Sequence, residues 1–282
     1  MPLYFSDDII KVHKTRVIRK EAMKKTLAAI SKDEELKREL ALFGGGLLYL
    51  LKGSGRSTSD LDFTPTQKIS KEIGVKLAER IERLMPSLGF IDVRRKLNGN
   101  QNRIKAKIPL EGFENGIAIS VEFSSRGYSV FQLRNYLVPT AEGLEILGEH
   151  LYEIACDKLT ASIWRSENRR KGLGYKPSDV YDIYFIQAII GNILDFDLEE
   201  IRSGESKDVG DILDAIILKG SIFGMDLRRK DVWERLASLE VDEEIVDKNI
   251  KKNIDLNTYM QLSLGNIVDY WHFLIEELKR IA

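Results

Sequence analysis

The stretch from Leu40 to Phe63 leaves this chain few choices of fold. Four residues with an apolar pattern, Leu40 to Phe43, run straight into Gly44-Gly45-Gly46, which reads as a strand followed by a helix from Gly45 or Gly46 to about Leu51. Gly53 and Gly55 end that helix, and a polar loop with Arg56 and Thr58 follows. Asp60-Leu61-Asp62-Phe63 then alternates acid with apolar residue, the pattern of a strand with one face buried, and Pro65 closes it. Side chains at i and i+2 of a strand share a face, so Asp60 and Asp62 point the same way. Two adjacent like charges raise the pKa of one of them, and a bound divalent cation relieves that repulsion.

The rest of the chain divides by pattern. A charged amphipathic helix is expected over residues 17–40 and a helix over 67–88, where Ile69, Ile73, Leu77, Ile81 and Leu84 recur at helical spacing. Phe90 to Leu97 and Arg103 to Leu110 read as two strands joined through Asn98 to Asn102, a hairpin signal. Gly116 to Phe123 alternates Ile117, Ile119, Val121 and Phe123 with Ala118, Ser120 and Glu122, which puts Glu122 on the face away from the core. A further strand is expected near residues 144–147. After His150 the periodicity is helical, in segments 150–168, 178–192, 208–219, 229–238, 242–252 and 258–281. Strands crowd the first half and helices fill the second. The expected class is α+β, with an α/β domain over residues 1–148 and a helical domain over 149–282 completing a cleft.

Composition removes several functional classes. At 282 residues and 43% hydrophobic the chain can bury a sizeable core. Charged residues make up 31%, yet the net charge is only -1, so a polyanion site must be a local patch rather than a global field. Cys156 is the only cysteine, which excludes internal disulfides and a cysteine-rich zinc site. His13, His150 and His272 are too scattered for a metal-ligand motif. Residues 1–14 lack the apolar stretch of a signal peptide, and no window approaches a membrane span, so a cytoplasmic protein without a membrane partner is expected.

Taken together, the glycine turn, the polar loop, the acid pair and a later strand acid fit a site for metal and triphosphate. Glycine lets a backbone approach a phosphate closely, and a helix N-terminus offers free N–H groups. Metal ions on Asp60 and Asp62 would clamp the triphosphate and stabilise the departing pyrophosphate. Glu122 would complete the metal site or act as base toward an acceptor hydroxyl.

The segment resembles the first motif of the DNA polymerase β-like nucleotidyltransferases. In detail it is similar to the AbiEii/AbiGii branch, whose members are toxins of abortive-infection, type IV toxin–antitoxin pairs. Gly45 and Gly46 match that branch's glycine pair; Arg56, Thr58, Asp60, Asp62 and Phe63 match its Arg-x-Ser-x-Asp-x-Asp-Phe. Glu122, in Ile119-Ser-Val-Glu-Phe123, matches the third acid. A second motif is matched by Glu153, Lys158-Leu159, Ala161, Arg165 and Ser178-Asp179-Val180-Tyr181-Asp182. Three positions depart from the pattern: Gly44 stands for a lysine, Leu47 for a hydroxyl residue and Ser178 for an arginine.

The resemblance covers residues from about 40 to 190. It implies a nucleotidyltransferase fold, a small mixed sheet flanked by helices with a C-terminal helical domain. The implied reaction moves an NMP from an NTP to an acceptor hydroxyl with Mg²⁺ or Mn²⁺ on Asp60, Asp62 and Glu122. Gly45, Gly46, Arg56 and Thr58 would cradle phosphates. Lys158 and Arg165, seven apart on one expected helix, would meet the triphosphate, with Asp182 orienting groups nearby; Asp179 and Asp182 are equally suited to pairing with them. The acceptor would be RNA, a tRNA end or a protein, and a cognate antitoxin the partner. Two other readings share the first motif: a small-molecule nucleotidyltransferase of the antibiotic-modifying type, and a nucleotide-binding protein that no longer catalyses.

Other features carry weaker expectations. Arg103, Lys105 and Lys107 alternate with Ile104, Ala106 and Ile108, so one face of the hairpin is basic, suited to an RNA backbone or to keeping a sheet edge soluble. Arg169-Arg170-Lys171 reads as a basic loop, and Trp164, Trp233 and Trp271 as core.

Overall fold

The computed structural model describes residues 7–110, 113–124, 127–140, 142–167, 174–194 and 209–282. Two compact units divide the chain. The first holds the chain up to Gly53, Ser57–Tyr128 and Asn135–Gly148; the second holds Ser54–Arg56, Ser129–Arg134 and Glu149–Ala282.

The first unit is built on a seven-stranded mixed sheet: β1 (Leu40–Phe43), β2 (Asp60–Pro65), β3 (Ile91–Asn98), β4 (Gln101–Leu110), β5 (Phe113–Ser124), β6 (Arg134–Leu137) and β7 (Glu145–Gly148). Their spatial order is β3-β4-β5-β2-β1-β7-β6. The long hairpin strands are antiparallel, whereas β2 runs parallel to β5, and β1 runs parallel to β7. Leu61, Phe63, Ile104, Ala106, Ile117, Ile119, Val121 and Phe123 are buried along one face, as the alternation requires. Helix α4 (Lys71–Leu84) covers β3 and β4 on that side, where its Glu79 and Glu82 meet Arg95. Helix α1 (Asp7–Lys32) packs on β5 through a buried stripe that includes Met23, Leu27 and Ile30.

Helix ends in this unit follow local chemistry. The helix expected over residues 17–40 is two helices, α1 and α2 (Glu34–Glu39), because Asp33 caps the second by accepting from the Leu36 N–H. The helix expected over residues 67–88 is shorter. Ser70 caps it at Lys71, and Pro86 lies in a closing 3₁₀ turn, Met85–Leu88, that ends at Gly89 with φ 86°. Strand β5 starts at Phe113, ahead of the expected Gly116. Gly116 sits inside it at φ 63°, where an added Cβ would lie 2.6 Å from the Ile108 carbonyl oxygen. Strand β6, short and half-exposed, carried no pattern strong enough to expect.

The described helices of the second unit are α5 (Leu151–Glu167), α6 (Pro177–Ile190), α7 (Ile212–Ile222), α8 (Lys230–Ala237), α9 (Glu243–Asn253), α10 (Leu256–Gln261) and α11 (Leu264–Ile281). The helix expected over residues 258–281 breaks at Ser263, which caps α11. Helix α5 packs on α6, α7 and α8, and α11 packs on α6, α8 and α9. Trp233 and Trp271 are buried in this core, and the Trp233 indole donates to the Leu227 carbonyl at 2.9 Å. Trp164 is not a core residue as expected: it stands 54% exposed on the outer side of α5, whose buried stripe is already filled by Leu159 and Ile163. The Arg169-Arg170-Lys171 loop lies outside the described residues. Among the described residues no helix is long and apolar enough to cross a membrane.

Candidate active site

In the first unit, β1 enters helix α3 (Gly44–Leu51) at Gly44, whose φ of 63° is left-handed. An added Cβ there would lie 3.4 Å from the Asp62 Oδ2, so the glycine also leaves the Asp62 carboxylate room beside the start of α3. At Gly46 the same Cβ would meet the Asp60 carbonyl oxygen at 3.2 Å, so this glycine lets the helix lie against β2. Gly45 is buried between them. Leu47 is fully buried and faces Gly148 of β7, which makes it a core residue of the unit.

The parallel register aligns Asp60 with Ser120 and Asp62 with Glu122. Registered neighbours share a face, so both aspartates, Ser120 and Glu122 stand together, opposite the apolar face. The Ser120 hydroxyl lies within hydrogen-bond reach of Asp60 Oδ1 and, at 3.0 Å, of Glu122 Oε1. A hydroxyl has one proton, so it donates to one of these carboxylates at a time. Ser59 also donates to Asp60 Oδ1 at 3.2 Å, and the Thr58 hydroxyl accepts the Asp60 N–H at 3.2 Å. Thr58 therefore fixes the start of β2.

Glu122 is held from the other side. Arg103 of β4, its antiparallel register partner, reaches both carboxylate oxygens at 2.6 Å, and the Arg103 pKa is raised by that contact. Among the described residues no three metal-ligating side chains stand ready around one point. Asp60, Asp62 and Glu122, the expected trio, share this face, and the Glu122 carboxylate is paired with Arg103. Arg19 of α1, which the sequence did not single out, adds positive charge near Asp60. Burial lowers its pKa while Asp60 and Tyr49 oppose that, and its Nε has no hydrogen-bond partner among the described residues. A lone arginine inside a charged helix gives no pattern to find it by.

The remaining expected residues lie in the second unit and form a buried ion-pair network. Arg56 donates to both Asp182 oxygens, at 2.7 and 2.6 Å. Lys158 reaches Asp182 at 2.6 Å and Asp179 at 3.0 Å, and Arg165 reaches Asp179 at 2.7 Å. The i, i+3 spacing of the two aspartates on α6 makes this possible. Burial works to raise the Asp179 pKa, but Lys158, Lys176 and Arg165 hold it down to about 2. Asp182 is lowered likewise, by Arg56 and Lys158 against burial. Burial opposes the charge on Lys158, and the two aspartates overcome it and raise its pKa. Three cations meet two carboxylates, so the network keeps one positive charge in excess.

The loop that brings Arg56 here is pinned by close backbone approach. The Asp255 N–H donates to the Gly55 carbonyl at 3.2 Å, and a Cβ on Gly55 would meet Thr258 side-chain atoms at 2.6 Å. Glu153, another motif residue, is wholly buried. It accepts from the Val130 N–H at 2.8 Å and pairs with Lys219 at 2.8 Å, which marks it as a fastening of the helical unit.

The family model described as nucleotidyl transferase AbiEii toxin, type IV toxin–antitoxin system, matches residues 25–245. No match was found among curated proteins. Similar solved structures include a Helicobacter pylori chain ascribed to the nucleotidyltransferases, at 16% identity and TM-score 0.47, covering 98% of this chain and 96% of that one. The nucleotidyltransferase toxin MenT4 from Mycobacterium tuberculosis is also similar, at 14% identity and TM-score 0.41, covering 91% and 93%. The assignment rests on the family match, which spans well over half of the sequence: this chain belongs to the AbiEii family of nucleotidyltransferase toxins.

Proposed function

We propose that this protein transfers an NMP from an NTP to an acceptor hydroxyl at the face formed by Asp60, Asp62, Ser120 and Glu122. The observation that carries this reading is the alignment of Asp62 with Glu122 across the β2–β5 pair, beside the first turn of α3. The two aspartates offer hard oxygen donors on one side of a strand, both partly exposed, a donor set that suits Mg²⁺ or Mn²⁺. A divalent cation held there supplies charge neutralisation to the triphosphate and its departing pyrophosphate.

The chain's own groups divide the remaining work. Backbone N–H groups at the start of α3, at Gly45 and Gly46, receive phosphate oxygens. Arg56 and Thr58 hold the loop ahead of Asp60. Glu122, when released by Arg103, joins the aspartates or takes the proton of the acceptor hydroxyl. Lys158 and Arg165 carry the excess positive charge of their own network, with Asp182 holding Lys158 in place. Family membership supports a cognate antitoxin as partner and the cytoplasm, where NTPs are abundant, as the place of action.

The test is incubation with each labelled NTP, Mg²⁺ and total cellular RNA and protein, beside Asp60→Asn and Asp62→Asn. Labelled acceptor and released pyrophosphate are expected from the wild type only, with transfer lost in both variants. Equal labelling by both variants, or no Mg²⁺-dependent transfer by the wild type, would refute the reading.

A further inference from the structure

The face that carries the acids does not end at Glu122. Its rows continue across the hairpin: Asp62, Glu122, Arg103 and Lys96 are successive register partners, as are Asp60, Ser120, Lys105 and Arg94. Lys107, two residues from Lys105 on β4, extends the same face. Five cations therefore share this surface with the carboxylates of Asp60, Asp62, Glu122 and Asp92, of which Glu122 is paired with Arg103 and Asp92 with Arg94 and Lys107. Lys96 and Lys105 are exposed and have no ion-pair partner among the described residues. On the opposite face the balance differs, because Arg95 is neutralised by Glu79 and Glu82 of α4.

Two features of this arrangement require an explanation. Arg94 faces Lys105, and Lys96 faces Arg103, and like charges directly opposite in a sheet are destabilising. Protection of the open β3 edge would account for cations on β3, but β4 is an inner strand with both edges paired. Asp92 and Glu122 offset the arginine of each pair, which leaves Lys96 and Lys105 as the charges that a polyanion lying over both strands would meet.

We propose that this basic face is the landing surface for the phosphates of a polynucleotide acceptor, whose reacting end reaches Asp60, Asp62 and Glu122. The proposal rests on the nucleotidyl-transfer reading above and names the acceptor class for that site. Strands lie about 4.8 Å apart, so Lys96 stands about 14 Å from Asp62 along its row. β3 and β4 present no aromatic side chain, so contact is made to the backbone and tolerates any base sequence.

Lys96→Ala/Lys105→Ala tests this, with Lys68→Ala/Lys71→Ala as a control of equal charge elsewhere in the same unit. Binding of a fluorescein-labelled single-stranded RNA is followed by anisotropy over a range of salt concentrations. The first pair is expected to weaken binding about tenfold and to reduce the salt slope by about 1.4, while the control changes neither. Both pairs are exposed, so melting temperatures should stay at or above the wild-type value. Single-stranded DNA bound with the same dependence supports backbone contact. No RNA binding by the wild type, or equal losses in both pairs, overturns the proposal. Mg²⁺-dependent binding of labelled NTP, measured in parallel with Asp62→Asn, reports on nucleotidyl transfer separately: NTP binding intact with no role for Lys96 and Lys105 defeats only the landing surface.

Discussion

Asp62 of β2 stands directly across from Glu122 of β5, and Arg103 of β4 holds that glutamate from the far side. Three neighbouring strands thus place Glu122 between the proposed cation site and a guanidinium. Freeing Glu122 should favour the cation. Arg103→Gln is expected to tighten Mn²⁺ binding severalfold, read from the free Mn²⁺ signal in electron paramagnetic resonance. Unchanged or weaker binding would show that Glu122 is no ligand held in reserve.

Leu47 occupies the place where the resembling motif carries a hydroxyl, and it is wholly buried against Gly148. Leu47→Thr should therefore act on stability rather than on phosphate binding. A loss of about 2–4 kcal/mol in urea unfolding is expected from the lost packing and the buried hydroxyl, with no gain in NTP affinity. Tighter NTP binding in this variant would contradict the placement of residue 47 in the core.

Gly55 has no room for a side chain beside Thr258 and Asp255. Gly55→Ala is expected to lower stability by about 1–3 kcal/mol through overpacking. Adding Thr258→Ala should recover part of that loss, which a double-mutant cycle in denaturant would measure; strictly additive effects would rule out the contact.

The ion-pair network predicts acid sensitivity with a definite sign. Asp179 is held at about 2 in the folded state, below its ordinary range. A depressed carboxyl contributes stability that is complete above the unfolded value near 4 and is lost as pH falls through the folded value. That contribution is about 2 kcal/mol, lost between about pH 4 and pH 2. Unfolding followed across this window should show a shallower fall for Asp179→Asn, which is already destabilised at pH 7. An identical slope in wild type and variant would remove Asp179 as the source.

Elements with strong local signals were legible. The turn from β1 into α3, the alternation in β2 and β5, and the Asn-rich hairpin depend on side chains within a few residues of each other, and near-neighbour rules describe them. Boundaries were less legible where one residue decides: Asp33, Ser70 and Ser263 each cap a helix within an otherwise continuous apolar period. Trp164 shows the limit of residue type as a guide, since its position on α5 left it outside the buried stripe.

By itself the sequence determined that Asp60 and Asp62 share a strand face, that strands crowd the first half of the chain and helices fill the second, and that any polyanion surface must be local. Strand order and register decided the rest. They set Glu122 beside Asp62 from about sixty residues away, placed Arg103 against it, and continued the acid face into Lys105 and Lys96. Packing decided that Arg56, Lys158 and Arg165 would be absorbed by Asp179 and Asp182. Pattern along a chain reports which way a side chain points, but which charges come to face one another depends on the pairing of distant segments, and burial then sets how strongly they interact.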